Sequence, residues 1–392
     1  MESVLQTLRG IAFAITNPYL LLLLFFIGIK LYAGNRRYAL MHGIMLGKRV
    51  DSPLELTMSQ ICIGIFCGAV GSIAMNIIGV DFGNRTIIYI LFLISILLMN
   101  IRPKLICFSY SGSIMGLCFV YLNYIGKTNF NIKSLVVLIG IMHIIEGLLV
   151  IIDGGRGAIP VLNNKNGSVI GGFIFNRSWT VPIAFTSAYP FYSVIGYHSV
   201  TFTQSKGMKC LVSGSIIGAY GFVVLLMSRF LTANVLLQVL ILMVVPLLHE
   251  SMLLLDNLYE AFRKPIFINE DEGLRVLEVA PNSQGDIMGI ESGDVVIEIN
   301  HHVMDSEKNI VEYLQTLQNE IWLKIKKKRG EVRNIEYDKF NSKIPLGVIF
   351  VPRNMKDEES QDKSAKNMGR FRIVLEKVRE NYDKTTKEDE KN

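Results

Sequence analysis

Hydrophobic positions divide the chain into two parts with different patterns. Residues 18–248 contain a series of long apolar runs separated by short polar loops, whereas residues 265–353 contain short segments in which apolar and polar positions alternate. A membrane-spanning helix needs roughly 20 mainly apolar residues, and alternation is typical of half-buried strands. The pattern therefore predicts a multi-pass membrane part that ends near Glu250, followed by a strand-rich module.

The apolar runs predict a polytopic α-helical membrane protein with about seven spans, in a range of six to eight. A weaker run at residues 181–197 contains Pro182 and Pro190 and many polar residues, so we interpret it as re-entrant or interfacial. The seven predicted spans cover residues 18–32, 57–80, 86–101, 105–125, 135–152, 211–227 and 235–248.

Composition agrees with a membrane protein, because 50% of the 392 residues are hydrophobic and mean hydropathy is +0.36. All five cysteines lie in or beside apolar runs, and we interpret them as small hydrophobic residues rather than disulfide or metal ligands. The first apolar run lacks a small-residue cleavage site and precedes basic residues, so we expect it to be retained as a span.

Lysine and arginine are distributed unevenly over the predicted loops. The positive-inside rule assigns the loops richer in these residues to the cytoplasm. With seven spans, the rule places the C-terminal module there. The cytoplasmic side contains Arg36, Arg37, Lys48, Arg49, Arg102, Lys104, Arg156, Lys165, Arg177, Lys206 and Lys209, against Arg9, Arg85, Lys127, Lys133 and Arg229 outside.

Glycine and serine recur on the second and sixth predicted spans. Such residues allow helices to approach closely. They serve either packing within the bundle or contact with a second copy, so a homo-oligomer stays open. The small residues are Gly64, Gly68, Gly71, Ser72, Ser213, Gly214, Ser215 and Gly218.

Three ionisable residues are predicted at membrane depth. His143 and Glu146 lie three positions apart and hence on one face of the fifth span, and Asp153 follows at its inner end. Such groups either mark a function or form ion pairs and hydrogen bonds that fasten the bundle. We prefer the second interpretation.

The motifs of intramembrane proteases are incomplete. Zinc proteases carry His-Glu-x-x-His on one helix, but here His249-Glu250 is followed by Leu253 where the second histidine would stand. The Ser-Gly pairs lack the Gly-x-Ser-Gly run of a rhomboid-like serine site. We therefore expect no enzymatic activity, catalytic residue, cofactor or metal site.

The C-terminal module contains an ordered series of short elements. An alternating strand at residues 272–279 precedes the turn Ala280-Pro281-Asn282-Ser283, a short helix, the turn Gly293-Asp294 and a strand that ends at Asn300. This order resembles the core of bacterial PDZ domains, which are α+β domains. In that family a peptide C-terminus adds as a strand, and backbone N–H groups of an x-Φ-Gly-Φ loop hold its carboxylate.

That loop is best matched by Leu346, Gly347 and Val348 after Pro345, which implies a permuted PDZ domain with a peptide site at its C-terminal end. A helix at residues 307–318 would line the groove, with half of its apolar side chains in the core. Its apolar positions are Ile310, Tyr313, Leu314 and Leu317.

The predicted organisation is a transmembrane domain (1–250), a connector (251–264), a PDZ-like domain (265–353) and a charged, disordered tail (354–392). Motifs in the membrane part follow a basic first loop and a glycine-rich second span. They are His143-Ile144-Ile145-Glu146-Gly147-Leu148-Leu149, Asp153-Gly154, Pro160-Val161, Gly171-Gly172 and Trp179.

Together with the terminal PDZ-like module, these motifs resemble the MinJ family of septum-site determinants of Gram-positive bacteria. The resemblance implies a non-enzymatic scaffold of the bacterial plasma membrane, at septum or poles, that bridges MinD-like and DivIVA-like division proteins. It implies a lipid bilayer as surroundings and no nucleic-acid partner. Two alternatives stay open: an inactive relative of site-2 metalloproteases, and an accessory subunit of a membrane transporter.

Overall fold

A computed structural model describes residues 2–47, 50–83, 85–165, 168–185, 190–232, 234–269, 272–304, 310, 313, 319–341 and 344–353. Eight helices are described in the membrane part, joined in two places by 3-10 turns at Pro103–Ile106 and Ser228–Phe230. The helices are α1 (Glu2–Thr16), α2 (Pro18–Leu46), α3 (Pro53–Ile78), α4 (Arg85–Ile101), α5 (Phe108–Tyr124), α6 (Ile132–Asp153), α7 (Lys206–Met227) and α8 (Val235–Ala261).

Five of these helices, α2, α3, α6, α7 and α8, are long and apolar enough to cross a membrane, in agreement with a membrane protein. Asparagine side chains cap three of them: Asn17, Asn131 and Asn234 each accept a hydrogen bond from the first turn of the helix that follows. Large apolar side chains such as Phe25 and Phe66 are exposed on the outward helix faces, where lipid would replace water.

Helix α6 lies at the centre of the bundle and packs most closely against α7. At the two points of contact, a Cβ added to Gly147 would lie 2.5 Å from the carbonyl oxygen of Gly214, and one added to Gly140 would lie 2.9 Å from that of Gly221. Glycine at these positions therefore lets the two backbones touch.

A β-sheet follows α6 within the membrane part. It contains β1 (Ile159–Lys165), β2 (Ser168–Ile183) and β3 (Phe191–Thr201), paired antiparallel in the order β1-β2-β3. Residues 181–183 end β2 and residues 191–197 begin β3, so the weak apolar run at residues 181–197 supplies strands and not an eighth helical span. The alternating polar residues that dilute this run are those of paired strands.

Strand β2 lies against α3 through the small residues of that helix. A Cβ added to Gly64 would lie 2.3 Å from the carbonyl oxygen of Thr180, and one added to Gly68 would lie 2.4 Å from that of Pro182. One turn further along, the Ala184 backbone N–H donates to Ser72 Oγ over 3.0 Å. The small residues of α3 therefore serve packing within the chain.

The C-terminal module forms a second antiparallel sheet with strand order β10-β5-β6-β8-β9. The strands predicted at residues 272–279 and 295–300 are confirmed as β5 and β6. Its elements are β4 (Phe267–Ile268), β5 (Leu274–Val279), α9 (Gln284–Ile287), β6 (Val295–Ile299), β7 (His302–Val303), β8 (Asn319–Lys326), β9 (Val332–Phe340) and β10 (Val348–Phe350).

The module packs directly on the membrane part. Helix α8 continues to Ala261, and β4 then pairs with β2, with Phe267 opposite Gly171. Leu277 and Val351, on one face of the β5–β10 pair, belong to the same buried apolar cluster as the helices, whereas the opposite face covers the module's own core. The core of the membrane part therefore extends onto one face of this sheet, and the module has a separate core on the other face.

Candidate functional site: a backbone loop and a buried Cys–His cluster

The predicted peptide-binding loop lies immediately before β10, at the edge of the module's sheet. Gly347 has φ +73°, in the left-handed region that favours glycine. A Cβ at this residue would lie 2.4 Å from Ser283 Cβ. The loop conformation therefore requires glycine for two independent reasons.

Two backbone N–H groups of the loop face away from β5 and α9. The Leu346 carbonyl accepts from the Gly285 N–H over 2.9 Å, and the Gly347 carbonyl accepts from the Ala280 N–H over 2.7 Å. Because C=O and N–H of a trans peptide point in opposite directions, the N–H groups of Gly347 and Val348 face away from β5 and α9. Successive N–H groups in such a turn can hold an anion such as a carboxylate.

Apolar side chains lie beside these N–H groups. Leu346, Val348 and Tyr313 are each half-buried and pack against the module's core from its rim. Ile310 is helical but only 1% exposed, so it belongs to the core and not to a groove. Leu314 and Leu317 lie outside the described residues. Among the apolar candidates that the structure describes, Leu346, Val348 and Tyr313 pack against the buried cluster to which Ile310 belongs.

Asp153 forms a buried ion pair with Arg177. Its described hydrogen-bond partners are on β2 and do not include His143 or Glu146. Its Oδ2 accepts from Arg177 Nη2 and, over 2.8 Å, from Trp179 Nε1. Arg177 Nη2 also donates to Ser59 Oγ over 2.7 Å. The carboxylate therefore fastens the end of α6 to β2, and Arg177 extends the connection to α3.

His143 is surrounded by polar groups from three other helices, α5, α7 and α8. Its Nε2 lies 3.1 Å from Cys107 Sγ and 4.0 Å from Glu146 Oε2. The ring of His249, on α8, is centred 5.5 Å from that of His143. One ligand atom from each of Cys107, His143 and His249 falls within 4.8 Å of the other two.

Sequence reasoning missed this Cys–His cluster (Cys107, His143 and His249) because its members come from three helices. The spacing rule for zinc proteases looks for both histidines on one helix, where Leu253 breaks the pattern. A signal was nevertheless present, since His143 and His249 are two of only six histidines and both lie in apolar runs.

A second polar cluster joins the C-terminal module to the loops of the membrane part. His42 Nδ1 lies 3.0 Å from Asp51 Oδ2, and His42 Nε2 lies 3.2 Å from Glu278 Oε2. Lys206 Nζ donates to Glu278 Oε1. The hydrogen bond with His42 lowers the pKa of Asp51. Burial alone would raise the pKa of Glu278, but the hydrogen bond with His42 and the charge of Lys206 outweigh it and leave the pKa below its usual value.

Comparison with models of known protein families, with curated proteins and with solved structures finds no match to this chain. Function is therefore inferred from the geometry of the two sites and from the sequence motifs.

Proposed function

We propose that the protein is a non-enzymatic membrane scaffold whose C-terminal PDZ domain captures the carboxyl terminus of a partner protein. The observation that carries this proposal is the pair of N–H groups of Gly347 and Val348, which face away from the sheet at the start of its edge strand. A peptide added along β10 would place its carboxylate at these groups and its last side chain beside Leu346.

The position of the loop agrees with a permuted PDZ domain. The loop leads directly into the strand that would pair with the peptide, but both stand at the C-terminal end of the module, where β10 pairs with β5. In this proposal Tyr313, which packs against the module's core, would form the opposite apolar wall.

In this proposal α4 and α5, each 17 residues long, complete seven spans with the five longer helices. The module then lies in the cytoplasm, because the loops on its side carry the excess of lysine and arginine. Its contacts with His42 near the end of α2, which pairs with Asp51 before α3, and with Lys206 at the start of α7 support this placement, because they put these three segments on the module's side. A C-terminal reporter active only outside the membrane would contradict this orientation.

The partners we propose are MinD-like and DivIVA-like division proteins at the septum or poles. This choice rests on the resemblance of the chain to the MinJ family, from the motif that begins at His143 to the terminal module. A lipid bilayer provides the surroundings for the exposed apolar helix faces.

A second candidate is a membrane protease related to the site-2 metalloproteases. The observation in its favour is the Cys–His cluster, whose ligand atoms lie within 4.8 Å of one another. The two candidates differ in their dependence on Glu250, since a peptidase would require a general base beside its metal. Unchanged partner recruitment in Glu250→Gln favours the scaffold, whereas accumulation of an unprocessed membrane protein in that variant favours the protease.

Binding of the partner's C-terminus can be measured with full-length protein in detergent and fluorescent peptides from the C-termini of candidate division proteins. We expect a peptide with a free carboxylate to bind at least about tenfold more tightly than its amidated form, a difference of about 1.4 kcal/mol. Gly347 is unsuitable for substitution, because any side chain would meet Ser283.

Leu346→Glu tests the site itself, because it places a negative charge beside the N–H pair and repels the peptide carboxylate. Ile344→Glu is the matched control, since it adds the same charge two residues earlier at a side chain that is 51% exposed. Loss of binding in Leu346→Glu alone is the expected result. Equal binding by the free and amidated peptides would show that the module recognises its partner through another surface.

A further inference from the structure

The Cys–His cluster has the composition and geometry of a metal site. Cys107 stands at the start of α5, His143 in the middle of α6 and His249 in α8. Thiolate and imidazole are the ligands that Zn²⁺ prefers in proteins. Within the described residues, this is the group of histidine, cysteine or acidic side chains whose ligand atoms come close enough to share an ion.

His143 is oriented as a ligand by its backbone contact. Its Nδ1 lies 2.7 Å from the carbonyl oxygen of Ile139, which can only accept a hydrogen bond. In the neutral ring Nδ1 must therefore carry the proton, and Nε2, which has the lone pair, faces Cys107 Sγ at 3.1 Å and Ser109 Oγ at 3.3 Å. Hydrogen bonding of the second ring nitrogen to a carbonyl is the arrangement found around metal-bound histidines.

His249 is oriented by a chain of side-chain hydrogen bonds through Tyr110 to Glu250. Tyr110 donates its hydroxyl proton to Glu250 Oε1 over 2.6 Å, so the phenolic oxygen can accept from His249 Nδ1, which lies 3.0 Å away. Lys104 Nζ neutralises the same carboxylate over 2.7 Å. The second nitrogen of His249, Nε2, is left with a lone pair for a metal ion.

Cys107 is placed beside the two histidines. It is the N-cap of α5, its Sγ accepts from the Ser109 N–H over 3.4 Å, and the same sulfur lies 3.1 Å from His143 Nε2.

We propose that Cys107 Sγ, His143 Nε2 and His249 Nε2 bind one divalent transition-metal ion of the Zn²⁺ class. Binding releases the thiol proton of Cys107 and forms one metal–sulfur and two metal–nitrogen bonds. A tetrahedral ion would separate its ligand atoms by about 3.5 Å, so the 3.1 Å contact between Cys107 and His143 opens by about 0.4 Å, and the widest separation in the cluster, up to 4.8 Å, closes by about 1.3 Å. Glu146 or a water molecule would occupy the fourth coordination position of the ion.

The ion would connect α5 to α6 and α8. The hairpin of α4 and α5 turns at Pro103–Ile106, directly before Cys107, and the metal would fix this turn against the two long helices. Such a site stabilises the bundle independently of peptide binding by the C-terminal module, and it departs from the expectation of no metal site drawn from sequence spacing.

Metal content of the purified full-length protein in detergent provides the test. Wild-type protein from cells grown with added zinc should carry about one equivalent per chain. Cys107→Ser and His249→Gln should each lose it. Cys118→Ser is the matched control, because it removes an exposed thiol from the same helix and should keep the ion.

Cobalt binding, followed by absorption, distinguishes the loss of a metal ligand from misfolding of the variant. Co²⁺ added to the metal-free wild-type protein should give a thiolate charge-transfer band, which Cys107→Ser should lack while it elutes as a monodisperse protein. Wild-type protein that takes up neither zinc nor cobalt would overturn the proposal and leave a hydrogen bond between Cys107 and His143. Full metal content in Cys107→Ser would overturn it as well.

Discussion

At the scale of single residues, sequence reasoning located the buried charges but not their partners. Asp153 was predicted at the inner end of a span, and the preferred interpretation was a bundle-fastening contact, which the ion pair with Arg177 provides. Arg177 was placed in a loop, because nothing in its neighbourhood marks a strand that folds back against α6. Partner choice depends on tertiary contacts that the local sequence does not encode.

We expect Asp153→Asn to lower the free energy of unfolding by about 3–5 kcal/mol, because it leaves the guanidinium of Arg177 buried without a counter-charge. The control is Arg156→Gln. Arg156 lies 3.9 Å from Asp153 with a side chain that is 47% exposed, and its loss should cost less than about 1 kcal/mol. Denaturant unfolding in detergent, followed by circular dichroism, measures both. Similar losses in the two variants would contradict a special role for the buried pair.

At the scale of elements, most of the helices and two strands of the module were predicted, whereas the sheet of the membrane part was not. The predicted spans at residues 86–101 and 105–125 correspond to α4 and α5. Strands β1, β2 and β3 were missed, because the central strand β2 is buried on both faces over most of its length and therefore lacks the alternation that marks a half-buried strand. Pro182 and Pro190 instead favoured a re-entrant or interfacial segment.

The contact of β2 with α3 predicts a strong effect of side-chain size at Gly68. Valine at this position would press on the carbonyl oxygen of Pro182, which lies 2.4 Å from the added Cβ and belongs to a paired backbone. We expect Gly68→Val to destabilise the protein by about 1–3 kcal/mol or more.

Gly218→Ala on α7 is the matched control, since an added Cβ has no neighbour within 4 Å there. This variant should be neutral or slightly stabilising, because alanine favours helices over glycine. Unfolding of both variants in the same detergent measures the difference. A neutral Gly68→Val would show that β2 can move away from α3.

At the scale of the whole molecule, the sequence predicted a membrane part and a strand-rich module but not their contact. The pairing of β4 with β2 and the cluster of His42, Glu278 and Lys206 bring together residues that are far apart in the chain. Helix α8 also continues as far as Ala261, through most of the predicted connector. These contacts indicate that the module is held in a fixed position on the bundle.

The contact should weaken in acid. Asp51 and Glu278 have lowered pKa values in the docked state, so their stabilisation is complete above the ordinary carboxyl pKa of about 4 and is lost as pH falls through the lowered values. Hydrogen exchange of residues 274–280, corrected for intrinsic rates, should therefore rise below about pH 4.

In Glu278→Gln, hydrogen exchange of residues 274–280 should be faster than in the wild type even at neutral pH. Glu298→Gln is the control, since Glu298 pairs with Lys324 within the module at 2.7 Å and should leave the contact unchanged. Exchange that is equally slow in wild type and Glu278→Gln at neutral pH would show that apolar packing alone holds the module.

The proposed scaffold function is tested most directly by imaging a fluorescent fusion of the full-length chain in dividing bacterial cells, together with a labelled MinD-like partner. We expect the wild-type fusion to concentrate at septa or poles and to recruit the partner there. Leu346→Glu should remain in the membrane but lose recruitment, whereas Ile344→Glu should retain it. An even distribution of the wild-type fusion around the membrane, with the partner unaffected by Leu346→Glu, would contradict the proposed function.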